Sequence, residues 1–358
     1  MESIAEEIIK LPKRKLKAIV NDPQKTAGAV NLVHVHDSQD GIRRMRKGKG
    51  FFYVFGGKKV NDKSILQRIK ALVIPPAWEN VWICPLPNGH LQATGSDQKN
   101  RKQYKYHPLW NSLRNHTKYY RLLDFGKSLP AIRQQLNKDL ALPGLPVEKV
   151  LALVVTLMEK TSIRIGNSFY EKLYGSFGLT TLKDKHVVIN GTELQFMFKG
   201  KKGVEHNISI KSKKLAKLVQ QCRDIPGKEL FQFYDESGSR KPIDSGMVND
   251  YIKKISGADF TAKDFRTWSG SLFALLSFKE CLQFETETEC KKNVVEVIDN
   301  VAKQLGNTRA VCKKYYVHPV LISLYEKKAL QKFLTPTSGD DPQLNSDEQV
   351  MMKILEAS

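Results

Sequence analysis

Apolar positions along the chain follow two periods, and the change between them divides it. From Gly50, Phe51-Phe52-Tyr53-Val54-Phe55, then Gly56-Gly57, then Lys58-Lys59-Val60 read as two short strands turning at the glycine pair. Asn80 to Cys84, a turn over Pro85 to Gly89 and His90 to Thr94 continue the pattern, with a short helix from Ile65 to Leu72 between. A small antiparallel sheet or barrel is therefore expected over residues 30–110. Past His107-Pro108 the spacing becomes helical. Leu142 to Pro146 breaks it, and Val147, Val150, Leu151, Val154, Leu157 and Met158 then recur at i, i+3, i+4 and i+7, predicting a buried helix. A second β segment follows: His186 to Ile189, an Asn190-Gly191 turn of the type I′ kind, Glu193 to Phe198, and Val204 to Ile210. Helices are expected again from Ser212 to Lys332, and a Pro- and Ser-containing connection leads to a last helix over Asp347 to Ala357.

These elements predict an α+β protein: a small N-terminal antiparallel β domain, then a mostly α-helical domain that contains a three-stranded β-hairpin segment. The expected divisions are an N-terminal extension (1–30), a β-barrel-like domain (31–110), a helical domain (111–333) and an acidic tail (334–358).

Charge narrows the partner. The 358 residues carry 58 Lys+Arg against 37 Asp+Glu, a net +21, where solubility needs only about 2–8 for a small domain. From Leu334 onward five acids face one base, a local −4, so the rest of the chain carries +25. A polyanion is the expected partner, and duplex DNA would be held through its phosphates. RNA-binding proteins share this composition, so charge alone leaves the class open. The five cysteines are scattered with no C-x-x-C pair, which signals neither zinc nor disulfides and fits a reducing compartment. The start, Met1 to Glu7, lacks the order of a signal peptide and no apolar run approaches the roughly 20 residues of a membrane span, so a cytoplasmic protein is expected, with no membrane partner.

No phosphate-binding Gly-Lys loop, H-E-x-x-H or acidic triplet is present, so no metal and no cofactor is expected. Cutting a DNA backbone would then fall to side chains: a nucleophile, groups for the non-bridging oxygens, and an acid for the leaving oxygen. Four stretches offer them, and each has a plainer reading. Arg164 in Ile163-Arg164-Ile165-Gly166-Asn167 sits among apolar residues, which also describes a snorkelling surface arginine. Lys201 in Phe198-Lys199-Gly200-Lys201-Lys202-Gly203 tips a basic turn, as do many solvated loops. In Lys263-Asp264-Phe265-Arg266, Asp264 can cap a helix while Arg266 points elsewhere, or the two form a salt bridge. Tyr315 and Tyr316 follow Lys313-Lys314, and tyrosines often serve packing.

Taken in order, Arg164, the hairpin Lys201, Lys263-x-x-Arg266, Gly306-Asn307-Thr308 and Lys313-x-x-Tyr316 resemble the catalytic pentad of the poxvirus-like and bacterial type IB topoisomerases. The stretch Gly95 to Tyr104 is similar to that family's N-terminal β signature, so the resemblance spans most of the chain. It implies that Arg164 and Arg266 hold the non-bridging oxygens, that Lys201 protonates the 5′ oxygen, and that Tyr316 forms a 3′-phosphotyrosyl bond without ATP or metal. Lys-x-x-Tyr spacing selects Tyr316 over Tyr315, and Asn307 lies nine positions before it. Viral relatives carry histidine where Asn307 stands, which marks a bacterial-type variant whose amide donates a hydrogen bond but brings no charge. DNA contacts are implied for Lys99, Arg101, Gln103 and Tyr104 in the β domain and for Asn167 and Tyr170 beyond the first arginine. Also implied are a clamp of two lobes around duplex DNA, a monomer on DNA, and a place with the nucleoid in the cytoplasm.

Two other readings stand beside this one. A tyrosine recombinase shares the covalent chemistry but typically shows His-x-x-Arg where this chain has Lys263-x-x-Arg266. A non-enzymatic basic nucleic-acid-binding protein explains the charge and leaves the spaced motifs unexplained.

Overall fold

The computed structural model describes residues 22–48, 50–97, 102–117, 119–334 and 343–358, without the side chains of 114–117 and 120. The chain falls into two compact units, Met1–Tyr120 and Arg121–Ser358.

The first unit opens with helix α1 (Pro23–Ala29), capped by Asp22. Its sheet holds β1 (Ile42–Lys47), β2 (Gly50–Phe55), β3 (Lys58–Lys59), β4 (Glu79–Ile83), β5 (Leu91–Ser96) and β6 (Lys102–Tyr106), antiparallel in the order β3-β2-β1-β4-β5-β6. Among the described residues β3 and β6 are edges, so the sheet is open and not a closed barrel. Helix α2 (Lys63–Ala71) buries Ile69 against Ile42, Val81, Ile83 and Ala93 on one face. Two strands escape the hydrophobic pattern: β1, Ile-Arg-Arg-Met-Arg-Lys, and β6, Lys-Gln-Tyr-Lys-Tyr, put basic and aromatic residues on their open positions.

Helix α3 (Pro108–Thr117) belongs with this unit, since Trp110 and Leu113 pack on Ala27, Val30 and Leu32 of the α1 region. The compact unit thus runs to Tyr120, and within residues 23–30 Ala27 and Val30 are buried in its core.

The second unit has one continuous core. Helix α4 (Tyr120–Asp139) leads to α5 (Val147–Thr161), where Val150 to Val155 are all buried, so α5 runs through the middle of the unit. Then come α6 (Ser168–Tyr174) and an antiparallel sheet of β7 (Val187–Asn190), β8 (Glu193–Lys199) and β9 (Glu205–Lys211). The turn between β7 and β8 is Gly191-Thr192, and only Gly191 has positive φ. A type I′ turn needs two such residues, so the expected Asn190-Gly191 turn is displaced by one.

Beyond α7 (Lys213–Arg223) the uninterrupted helical run is broken by a small hairpin, β10 (Gln232–Tyr234) and β11 (Arg240–Pro242). Its turn is organised by Asp235, whose Oδ1 accepts from the Ser237 and Ser239 amides at 3.0 and 2.9 Å. Asp-x-Ser-Gly was a legible turn signal. Helices α8 (Ser245–Ser256), α9 (Ala262–Glu280), α10 (Glu287–Leu305), α11 (Arg309–Tyr315) and α12 (Pro319–Glu326) follow. The acidic C-terminal region ends in α13 (Ser346–Ala357), which is no loose tail: Val350, Met351, Ile354 and Leu355 are buried in the main core. No described helix is long and apolar enough to cross a membrane.

Candidate active site

Arg266 is the most buried of the predicted site residues, 5% exposed. It lies in the first turns of α9, where Thr261 and Asp264 form a capping box, the Thr261 amide donating to Asp264 Oδ2 at 2.8 Å. Asp264 is thus spent on the helix start, and the alternative Asp264–Arg266 salt bridge is not formed. Arg266 instead donates Nη1 to the carbonyl of Ser162 and Nη2 to that of Leu305 at 2.8 Å. These oxygens end α5 and α10, where helix carbonyls lack intrahelical partners and carry partial negative charge. They give each Nη group an acceptor without neutralising the guanidinium. Burial pushes its pKa down, while nearby Tyr316 pulls it back up.

Arg164 follows the left-handed Ser162 that ends α5, and its own carbonyl is pinned by the Leu179 amide at 2.8 Å. Its Nη2 donates to Gly306 O at 3.1 Å and Asn307 Oδ1 at 2.8 Å. Burial, then the positive Arg266 beside it, lower its pKa to about 10, which still leaves it charged at neutral pH. Gly306 takes the left-handed cap of α10 (φ 57°), and Thr308 caps α11, its Oγ1 accepting from Val311 N at 3.4 Å. The Gly-Asn-Thr sequence is thus a helix stop and a helix start that leave Asn307 between them. Two donors at this centre are buried and have no partner among the described residues, Arg266 Nε and Asn307 Nδ2. Such orphans are rare in folded proteins and call for an acceptor.

Tyr316 caps the C-terminal end of α11, its amide donating to Cys312 O at 2.9 Å. Its half-buried ring lies 5.3 Å from the Arg266 guanidinium carbon. Helix α9 holds its backbone closely. A Cβ on Gly270 would stand 2.8 Å from Tyr316 O, so a larger residue there would push the tyrosine away. Ser271 Oγ donates to Tyr316 O at 3.1 Å and accepts from the His318 amide at 3.0 Å.

Lys201 stands exposed on the β8–β9 turn, a single 3₁₀ turn in which Lys202 has positive φ (62°) and Gly203 N closes onto Gly200 O at 3.1 Å. A cleft of about 850 Å³ within the second unit is lined by Lys201, Arg164, Arg266 and Tyr316, and also by Asn167 and Tyr170. Asn167 caps α6, accepting from Phe169 N at 2.8 Å, and Tyr170 is half exposed. Tyr174, four residues on, stacks on Tyr170 at 6.0 Å and also lines the cleft. The paired i, i+4 tyrosines were the unused signal for it. Ser271, which has no motif, was not legible.

Gln103 and Tyr104 lie on β6 in the other unit, outside this cleft. Gln103 donates to Asp97 Oδ2 at 3.0 Å, while Tyr104 is 48% exposed and stacked on Tyr106 at 5.9 Å. Successive strand residues face opposite ways. Lys99 and Arg101 lie outside the described residues. Among the described residues no group of His, Cys, Asp and Glu is placed to hold a metal ion.

Residues 100–335 match the family described as the catalytic core of eukaryotic DNA topoisomerase I, and residues 50–97 match the N-terminal domain of bacterial DNA topoisomerase IB. The chain is 33% identical to the DNA topoisomerase 1B of Acanthamoeba polyphaga mimivirus over 85% of its own length and 92% of that protein's. It is 25% identical to the DNA topoisomerase 1B of vaccinia virus (strain Copenhagen) over 77% of its own length and 86% of that protein's.

Proposed function

Because the chain belongs to the type IB DNA topoisomerases, we propose that it relaxes supercoiled duplex DNA by cutting one strand with Tyr316 and resealing it. The Tyr316 hydroxyl attacks the scissile phosphorus, the bond to the 5′ oxygen breaks, and the 3′ phosphate is left joined to the tyrosine. The cut strand rotates about its partner, and the free 5′ hydroxyl then attacks the phosphotyrosine and restores the backbone. The phosphodiester energy is kept in the intermediate, so neither ATP nor metal enters.

One observation carries the reading: two charged guanidiniums without a carboxylate partner, Arg266 buried and Arg164 half-buried, and two orphaned donors, gathered beside one tyrosine. A phosphate oxygen supplies what they lack. Arg266 and Arg164 take the non-bridging oxygens, Asn307 Nδ2 donates a neutral hydrogen bond, and Lys201 delivers the proton to the leaving 5′ oxygen. Asn307 has its Oδ1 committed to Arg164, so its amide is turned to offer the donor. The partner is duplex DNA, taken as a monomer and enclosed as by a clamp, with Asn167 and Tyr170 near the cut. Gln103, Tyr104, Lys99 and Arg101 serve the same duplex from the N-terminal unit.

The test is negatively supercoiled plasmid incubated in EDTA without ATP. The parent and Tyr315→Phe relax it, and Tyr316→Phe does not. Absence of relaxation by the parent, or relaxation by Tyr316→Phe, overturns the proposal. A requirement for paired specific sites would point to a recombinase instead.

A further inference from the structure

Among the groups around the cleft, His206 has no part in the reaction described above, yet the backbone is shaped around it. It sits on β9 opposite Phe198 of β8, with the two rings stacked at 4.9 Å and 19°. A Cβ on Gly200 would lie 2.6 Å from its Cδ2 and Nε2, and a Cβ on Gly306 would lie 2.5 Å from its Cε1. The imidazole therefore fills the space between the residue before Lys201 and the residue before Asn307. Each neighbour leaves room for the ring by lacking a side chain. Gly306 is also the residue whose carbonyl receives Arg164.

We propose that His206 is a positioning residue: a wedge that seats the Lys201 turn against the Gly306–Asn307 turn and so sets where the lysine's proton is delivered. The proposal rests on Lys201 being the acid. The physical need is plain from the turn itself. Lys201 is exposed, and the turn's own hydrogen bonds fix its shape without fixing its place relative to the two arginines. Contacts that bridge the turn to the anchored part of the site must do that: the Phe177 amide holds the strand end through Lys199 O at 2.8 Å, and the ring adds the contact that joins Gly200 to Gly306. Burial, then the charges of Arg164 and Arg266, hold the imidazole pKa below its ordinary 6.5, against the opposing pull of Glu205. The ring is thereby neutral at pH 7 and adds no competing cation beside the phosphate.

The experiment measures single-turnover cleavage of a DNA strand with an ordinary 5′-oxygen leaving group and of one with sulfur at that position, which needs no proton. Lys201→Ala serves as the reference. His206→Ala is expected to slow cleavage of the ordinary strand by about 10²-fold, the scale of a displaced catalytic group, and to recover on the sulfur strand as Lys201→Ala does. His206→Phe, which keeps a flat ring in the gap, should stay within a few-fold of the parent. Gly200→Ala acts from the other side: its φ of −92° admits alanine, but its methyl meets the ring. It should show the same sulfur-rescued loss while leaving His206 in place, and so guards against a His206→Ala protein that does not fold. An equal loss on both strands by His206→Ala and Gly200→Ala, with Lys201→Ala rescued, overturns the positioning role alone. Unchanged cleavage by both variants overturns it as well. Failure of the sulfur strand to rescue Lys201→Ala overturns the acid assignment, and this proposal with it.

Discussion

The helical unit holds buried or half-buried arginines in two places and treats them in opposite ways. At the α4–α13 contact, Arg133 meets Glu348 through two bonds of 2.7 and 2.9 Å and Glu159 through a third of 2.8 Å. Burial alone would lower the Arg133 pKa, but these carboxylates raise it above the ordinary value. In the cleft, Arg164 and Arg266 receive backbone carbonyls and one amide oxygen, and their pKa values fall. A buried charge whose partner is removed is costly, so a structural arginine is built with its carboxylates. The cleft arginines keep their positive potential because carbonyl dipoles orient them without cancelling the charge. That difference separates a tie between elements from a site awaiting an anion.

The sharpest break of this comparison is Arg266→Ala. It removes a charge and the donor whose orphaned Nε is offered to phosphate, and cleavage is expected to fall by at least about 10³-fold, the upper range for one lost oxyanion contact. Single-turnover cleavage checks it. A loss below tenfold would place Arg266 with Arg133 as a mere helix tie. The converse change, Glu348→Ala, should cost about 3 kcal/mol of stability, the lower end for a broken buried pair because Glu159 remains, and leave the cleavage rate of the folded protein unaltered. Its pH dependence has a definite sign. Burial raises the Glu348 pKa, but the bonds and charge of Arg133 outweigh this and hold it below its ordinary 4.5. Its contribution is therefore present above about pH 4.5 and lost as pH falls further. The melting-temperature gap between parent and Glu348→Ala should close on that side; a gap that widens on acidification would contradict the ion pair.

Asn307→Asp turns one kind of arginine into the other. It sets a carboxylate against Arg164 at the 2.8 Å now held by an amide oxygen and removes the orphaned Nδ2 donor. The variant should cleave about 10²-fold more slowly and melt no lower than the parent, because the half-buried Arg164 has gained a counter-charge. Thermal melting with single-turnover cleavage reads both. A slow variant that also melts well below the parent would mean the site was destabilised, not neutralised.

How much of this could be read from the chain differs residue by residue. Tyr316 was selected by its register to Lys313 and Asn307, and Arg164 drew notice as a charge among apolar neighbours. The partners of Arg266 could not be read, since Ser162 and Leu305 lie 104 and 39 positions away and offer only carbonyls, which every residue has. Glu348 looked like part of an acidic tail because its partner is 215 positions distant. Strands β1 and β6 were hidden because their alternation is basic against aromatic or half-buried, and hydrophobic period is the signal that finds strands. His206 gave no motif at all. Its meaning lies in two glycines that are remote from each other in sequence.

The smallest expected effect tests whether the two arginines and the nucleophile form one rigid body. Ser271 Oγ, fully buried, bridges Tyr316 O and the His318 amide, and Ser271 sits on the same helix as Arg266. Ser271→Ala removes the bridge and nothing that touches phosphate. The volume change is slight, so the cost should be the loss of partners for one buried carbonyl and one amide, about 1–3 kcal/mol of stability. For cleavage the expectation is a few-fold slowing on both the oxygen and the sulfur strand, because the displaced group is the attacking one and not the acid. Slowing confined to the oxygen strand would assign Ser271 to the lysine side of the site. No slowing, despite a lower melting temperature, would show that Gly270 packing alone holds Tyr316 to α9 and that the hydroxyl is a structural tie of the Arg133 kind.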